Sequence, residues 1–206
     1  AACTAPVCES VEVALTVNDT IGRKMMIAPM GVDANSTMMT INDNRYCATL
    51  ETSPLGFYHL VSVKENAQII LPYYVPVNKG KSASQITFGE RARVDLDGSQ
   101  DNEALAAYLN AYAQTSRAIW SPNADLTTPD LLKSYITKAD SILKVYRCSE
   151  PVKEYLRIWG YVSAYEDYAS VQRILKLKTE DMPYSRADLI AQSHSAFNSP
   201  IAALFP

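Results

Sequence analysis

The stretch Asp95-Leu96-Asp97-Gly98-Ser99-Gln100-Asp101-Asn102-Glu103-Ala104-Leu105 divides the chain into two halves written in different periods. Before Gly98 the apolar residues alternate, or come in short runs closed by turn residues, as strands require; after Ser99 they recur at helical spacing. Working back from the junction, the runs are Arg91 to Leu96, Ser84 to Phe88, Gln68 to Val77, Phe57 to Val63, Arg45 to Glu51, Thr37 to Ile41, Arg23 to Ala28 and Val11 to Val17. Runs spaced roughly ten residues apart, with no helical pattern between them, favour an antiparallel sandwich over a βαβ sheet. Pro72 and Pro76 lack a backbone donor, so Leu71 to Pro76 is expected to follow a sheet edge or leave the sheet.

Working forward, Leu105, Tyr108, Leu109, Tyr112 and Ile119 form one helical stripe behind Ser99 and Asp101 as N-caps, and Ser121-Pro122 stops it. Thr128 and Pro129 open a second helix, whose apolar face carries Leu132, Tyr135, Ile136, Ala139, Ile142, Leu143 and Tyr146. Ser149, followed by Glu150 and Pro151, opens a third helix with Val152, Tyr155, Leu156, Trp159 and Val162. It has a weak point at Gly160 and runs toward Leu175. Ser185 with Asp188 resembles a capping box for a shorter fourth helix bearing Leu189 and Ile190. The fold class expected is therefore α+β: an antiparallel β-sandwich domain over residues 1–98, then a bundle-like helical domain over residues 99–206.

Among 206 residues, 19 Lys+Arg stand against 22 Asp+Glu, a formal charge of −3. No basic field is available to gather phosphates, so nucleic acid is not expected as a partner. With 48% hydrophobic and 20% charged residues the chain has the composition of a folded globule. Its longest apolar runs, such as Gln68 to Val77, are broken by proline and fall short of the ~20 residues a membrane helix needs. The chain starts at Ala1 without a basic or apolar leader, which reads as a mature or trimmed form. Ala1-Ala2-Cys3 looks like the remnant of a bacterial lipoprotein cleavage box, which makes Cys3 a candidate for lipidation and a lipid anchor. The apolar tail Ser199 to Pro206 reads as a polypeptide that continues.

Cys3, Cys8, Cys47 and Cys148 make no C-x-x-C, the spacing a thioredoxin-type redox centre needs. Cys47 and Cys148 read as packed small hydrophobes. Cys3 and Cys8 are close enough to close a small disulfide loop, although spacing alone does not pair them.

The two histidines, His59 and His194, have no second ligand at metal spacing, so no zinc site is expected. His59 reads as a strand histidine and His194 as a helix-end residue suited to the dipole. No nucleophile elbow, S-x-x-K, H-E-x-x-H or phosphate loop occurs. Read as a calcium loop from Asp95, the junction has Gln100 where glycine should stand and Ala106 where the bidentate Glu should stand. Its structural reading is a turn and helix start, with Asp101 and Glu103 at the positive end of the dipole. No catalytic residue, metal or cofactor is assigned. Of the 13 tyrosines, Tyr161, Tyr165 and Tyr168 read as helix packing. Tyr73 and Tyr74, on a proline-flanked edge, are the exposed binding candidates.

Taken in order, Leu55-Gly56-Phe57-Tyr58-His59-Leu60, then Ile69-Ile70-Leu71-Pro72-Tyr73-Tyr74, then Gly98-Ser99-Gln100-Asp101-Asn102-Glu103-Ala104-Leu105 form an arrangement with a known counterpart. It resembles the N-terminal region of bacterial extracytoplasmic thiol-disulfide oxidoreductases of the thioredoxin-like (TlpA/ResA) type, over most of Val11 to about Leu175. The G-S-x-D-N-E-A-L junction is the most specific part. In that family the chemistry belongs to a C-terminal thioredoxin-like domain with a C-x-x-C pair, which this chain lacks, so no catalytic residue carries over. The resemblance implies a non-catalytic accessory module of the cell envelope that positions the redox domain, meets protein clients or mediates self-association. Apart from the resemblance, the residues also allow a free-standing extracellular module that binds a glycan or surface protein through Tyr73 and Tyr74.

Overall fold

β1 (Ser10–Val17) shows how the first half folds: Val11, Val13, Leu15 and Val17 point into the interior, while Ser10, Glu12 and Thr16 face out. Period-two patterning of this kind buries one face of a strand and solvates the other. The computed structural model describes residues 6–122, 129–176, 178 and 198–205. The other strands are β2 (Arg23–Pro29), β3 (Thr37–Met38), β4 (Thr40–Asn42), β5 (Arg45–Glu51), β6 (Phe57–Lys64), β7 (Ala67–Tyr74), β8 (Lys81–Phe88) and β9 (Val94–Asp97). They are followed by α1 (Gln100–Ile119), α2 (Pro129–Val145) and α3 (Glu150–Leu175). The protein is α+β.

A five-stranded sheet in the order β4-β5-β1-β8-β9 faces a four-stranded sheet in the order β3-β2-β6-β7. Met25, Leu60 and Leu71 from the smaller sheet line the same interior void as Ile86 and Val94 from the larger. Arg23 of β2 closes one end, its guanidinium 3.6 Å from the centre of the Phe88 ring and bonded to Asp19 and Ser62. Pairing is antiparallel except for β1 and β8, which run parallel. The chain builds the whole smaller sheet before β8 returns beside β1, so no hairpin constrains their direction.

The run Thr37 to Ile41, expected as one strand, is two. β3 pairs with β2 and β4 with β5, and the buried Met39 between them carries the chain from one sheet to the other. The expected strand start at Arg91 is a 3-10 turn over Glu90–Ala92, with Arg91 at φ 55°.

By internal contacts the protein divides into residues 1–106 and 107–206. The first two turns of α1, Gln100 to Ala106, thus belong with the sheets. In the second unit, Ile119, Tyr135, Ala164, Tyr168 and Val171 form a buried cluster. Gly160, expected as a weak point, lies inside an unbroken α3, where it packs on α2: a Cβ there would stand 3.2 Å from the Cβ of Ala139. The expected cap Thr128 and the helix opened by Ser185 lie outside the described residues, as do His194 and Cys3.

Candidate functional site

The junction that divides the sequence is a joint built from its own polar side chains. Gly98 takes φ 138°, and a Cβ there would stand 2.9 Å from both the Ala83 carbonyl oxygen and the Ser84 Oγ, so the residue must be glycine. Ser99 Oγ accepts from the Asn102 amide at 3.2 Å and caps α1, as expected. Asn102, only 2% exposed, turns its carboxamide onto β7: Oδ1 accepts from the Tyr74 amide at 2.8 Å, and Nδ2 donates to the Tyr74 carbonyl at 2.9 Å. A single side chain thereby satisfies the backbone of an edge strand as a neighbouring strand would.

The same joint overturns the expectation that Tyr73 and Tyr74 are exposed. Tyr73 is 0% and Tyr74 8% exposed. Tyr73 points between the sheets, its hydroxyl 2.7 Å from the hydroxyls of Ser82 and Ser84. Burial pushes this phenol above its ordinary value, so it stays neutral. Tyr74 packs its ring 4.9 Å from that of Phe57. The prolines do mark a sheet edge, since β7 is the edge strand of its sheet. An edge exposes backbone groups, however, and side chains stand perpendicular to that direction.

Beside the joint lies a polar cleft of about 620 Å³ within the first unit. Ala14 and Ala83, paired in register on β1 and β8, form a small-residue floor on the outer face of the larger sheet. Arg45 stands toward one end, Lys79 and Lys81 toward the other, with Glu12 and Asp101 among them. Lys81 and Glu12 make an exposed ion pair at 3.3 Å, a contact of little energetic weight. The lining of the cleft is mostly polar, and its walls are spread over strands that lie far apart in sequence; no motif announces it.

The remaining candidates are dispersed. Asp95 is bound to Arg93 on the strand side of the junction, while Asp101 and Glu103 sit in the first turn of α1. The acidic run therefore serves two elements. His59 lies on the outer face of the smaller sheet, in register with Ala28 and Pro72, and desolvation holds its imidazole below the usual range. Cys8, Cys47 and Cys148 form no disulfide with one another. Cys47 pairs beside Ala14 in the middle of β1, and Cys8 precedes the start of β1, too far apart to act as a dithiol. The Cys3 positions in the candidate disulfide and lipid anchor lie outside the described residues.

One polar cluster escaped the sequence reading. In the helical unit Asp167 is 8% exposed and accepts a hydrogen bond from the Tyr135 hydroxyl. Burial raises the Asp167 carboxyl above the ordinary carboxylate range, against the lowering effect of donors from Tyr135 and Trp120. Nearby, the Tyr108 hydroxyl donates to Ser163 Oγ at 3.2 Å. Ser163 and Asp167, four residues apart on the stripe shared with Ala164, Tyr168 and Val171, were the available signal.

Compared with models of known protein families and with curated proteins, the chain matches none.

Proposed function

We propose that this chain is the non-catalytic accessory module of a cell-envelope thiol-disulfide oxidoreductase, acting through contact with its redox domain or with protein clients. The observation that carries this reading is the use made of the junction. Gly98, Ser99 and Asn102, the residues on which the family resemblance chiefly rests, are engaged in backbone geometry, capping and edge sealing. They build a joint and leave chemistry to another domain. Export to the envelope and a lipid on Cys3 belong to the same proposal. Among the described residues no helix is long and apolar enough to cross a membrane.

The alternative of a glycan or surface-protein binder working through Tyr73 and Tyr74 lacks the exposed aromatic edge it called for, since Tyr73 is 0% exposed and Tyr74, at 8%, reaches only the lining of the polar cleft. The test is the reading frame beyond Pro206. A thioredoxin-like domain with a C-x-x-C pair is expected there, and a stop codon at that point would contradict the proposal.

A further inference from the structure

Backbone groups along an antiparallel strand point alternately toward the partner strand and away from it. On β7 the parity is fixed at its C-terminal end. The Val75 amide donates to the Gly56 carbonyl on the β6 side at 2.9 Å, whereas the amide and carbonyl of Tyr74 turn the other way and are taken by Asn102. Stepping back two residues at a time, Pro72, Ile70 and Gln68 also turn their backbone outward. Pro72 has no donor to offer. Ile70 and Gln68 each present an N–H and a C=O, and these meet no hydrogen-bond partner among the described residues.

This open edge differs from the others. β3 has 2 residues, β4 has 3 and β9 has 4, while β7 has 8. Short edges are one of the ways proteins avoid strand-to-strand association, and charged residues on the edge are another. From Ala67 to Tyr74 there is no charge. The face beside the edge is apolar as well: Met38, Met26, Val61 and Ile70 stand in register across all four strands of the smaller sheet, with Met38 55% and Ile70 49% exposed.

We infer that β7 is a self-association edge, and that a second copy of this chain adds its own β7 antiparallel to the first. With Gln68 of one copy opposite Ile70 of its partner, each pair exchanges both of its hydrogen bonds, so a two-fold axis satisfies the open amides and carbonyls of Gln68 and Ile70 on both copies. The pairing is bounded on one side by the donorless Pro72 and the sealed Tyr74, and on the other by the turn at Glu65, with φ 55°. The open segment is thus short and self-complementary, which selects a second copy over a longer foreign strand. The incoming strand lies in the plane of the sheet and sets its own Gln68 beside Ile70, so the sheet is extended beyond the apolar row that ends there. The inference gives the self-association expected of an accessory module a definite surface, but it stands on edge geometry alone: a monomer would refute it and leave the accessory reading intact.

The test uses the full chain. Sedimentation equilibrium over a concentration series is expected to show reversible dimerisation. Hydrogen exchange is expected to show the Gln68 and Ile70 amides becoming protected as concentration rises. Ile70→Lys, at a half-exposed position, is expected to weaken the dimer by roughly tenfold or more while leaving the circular dichroism unchanged. The amide-exchange result does not depend on that variant folding. A monomer at every concentration would overturn the inference. So would a dimer whose Gln68 and Ile70 amides exchange freely, or protection of those amides only when a foreign extended peptide is added.

Discussion

Replacing Asn102 by alanine removes the carboxamide that bonds both the amide and the carbonyl of Tyr74 at a buried site. An orphaned buried backbone group costs about 1–3 kcal/mol, so Asn102→Ala is expected to destabilise the β unit by about 2–4 kcal/mol. Urea unfolding followed by tyrosine fluorescence measures this; a change within about 0.5 kcal/mol, the range of an ordinary surface substitution, would show that the carboxamide does not hold the strand. Gly98 belongs to the same joint, but its demand is steric, set by the Ala83 carbonyl and the Ser84 hydroxyl. Both residues were visible as a motif in the sequence. Their role was not, because Tyr74 lies 28 residues from Asn102 along the chain.

At the scale of elements, the helices carry a pH dependence that follows from Asp167. Its pKa in the folded unit is raised above the ordinary 3.8, chiefly by burial among α1, α2 and α3, and that of Glu166 is raised in the same sense. A raised carboxyl binds its proton more tightly in the folded state. Its contribution to stability is fully present below the unfolded pKa and is lost as pH rises through the folded one. The urea midpoint of the helical signal is therefore expected to fall from mildly acid pH to neutrality, and Asp167→Asn to flatten that fall. An unchanged slope in the variant would assign the dependence to other groups. Strand and helix patterning made most elements legible: β5 alternates throughout, β1 does so apart from Ala14, and the period changes at Gly98. What stayed hidden depended on partners far along the chain. Met39 divides one expected strand because the chain crosses between sheets there. Tyr73 is buried because Ser82 and Ser84 wait for its hydroxyl across the sandwich. Asp167 sits among tyrosines whose spacing reads as ordinary helix packing.

For the molecule as a whole, the proposed accessory role rests on surfaces, the β7 edge and the polar cleft, and Cys8, Cys47 and Cys148 form no disulfide with one another. Cys8 and Cys47 are separated by the register of β1, and Cys148, buried at 8% exposure, follows α2 in the other unit. The most direct measurement is the reduction of insulin disulfides by the purified chain with dithiothreitol as electron source. The account predicts a rate of precipitation equal to that of dithiothreitol alone; acceleration comparable to that given by a thioredoxin would contradict it.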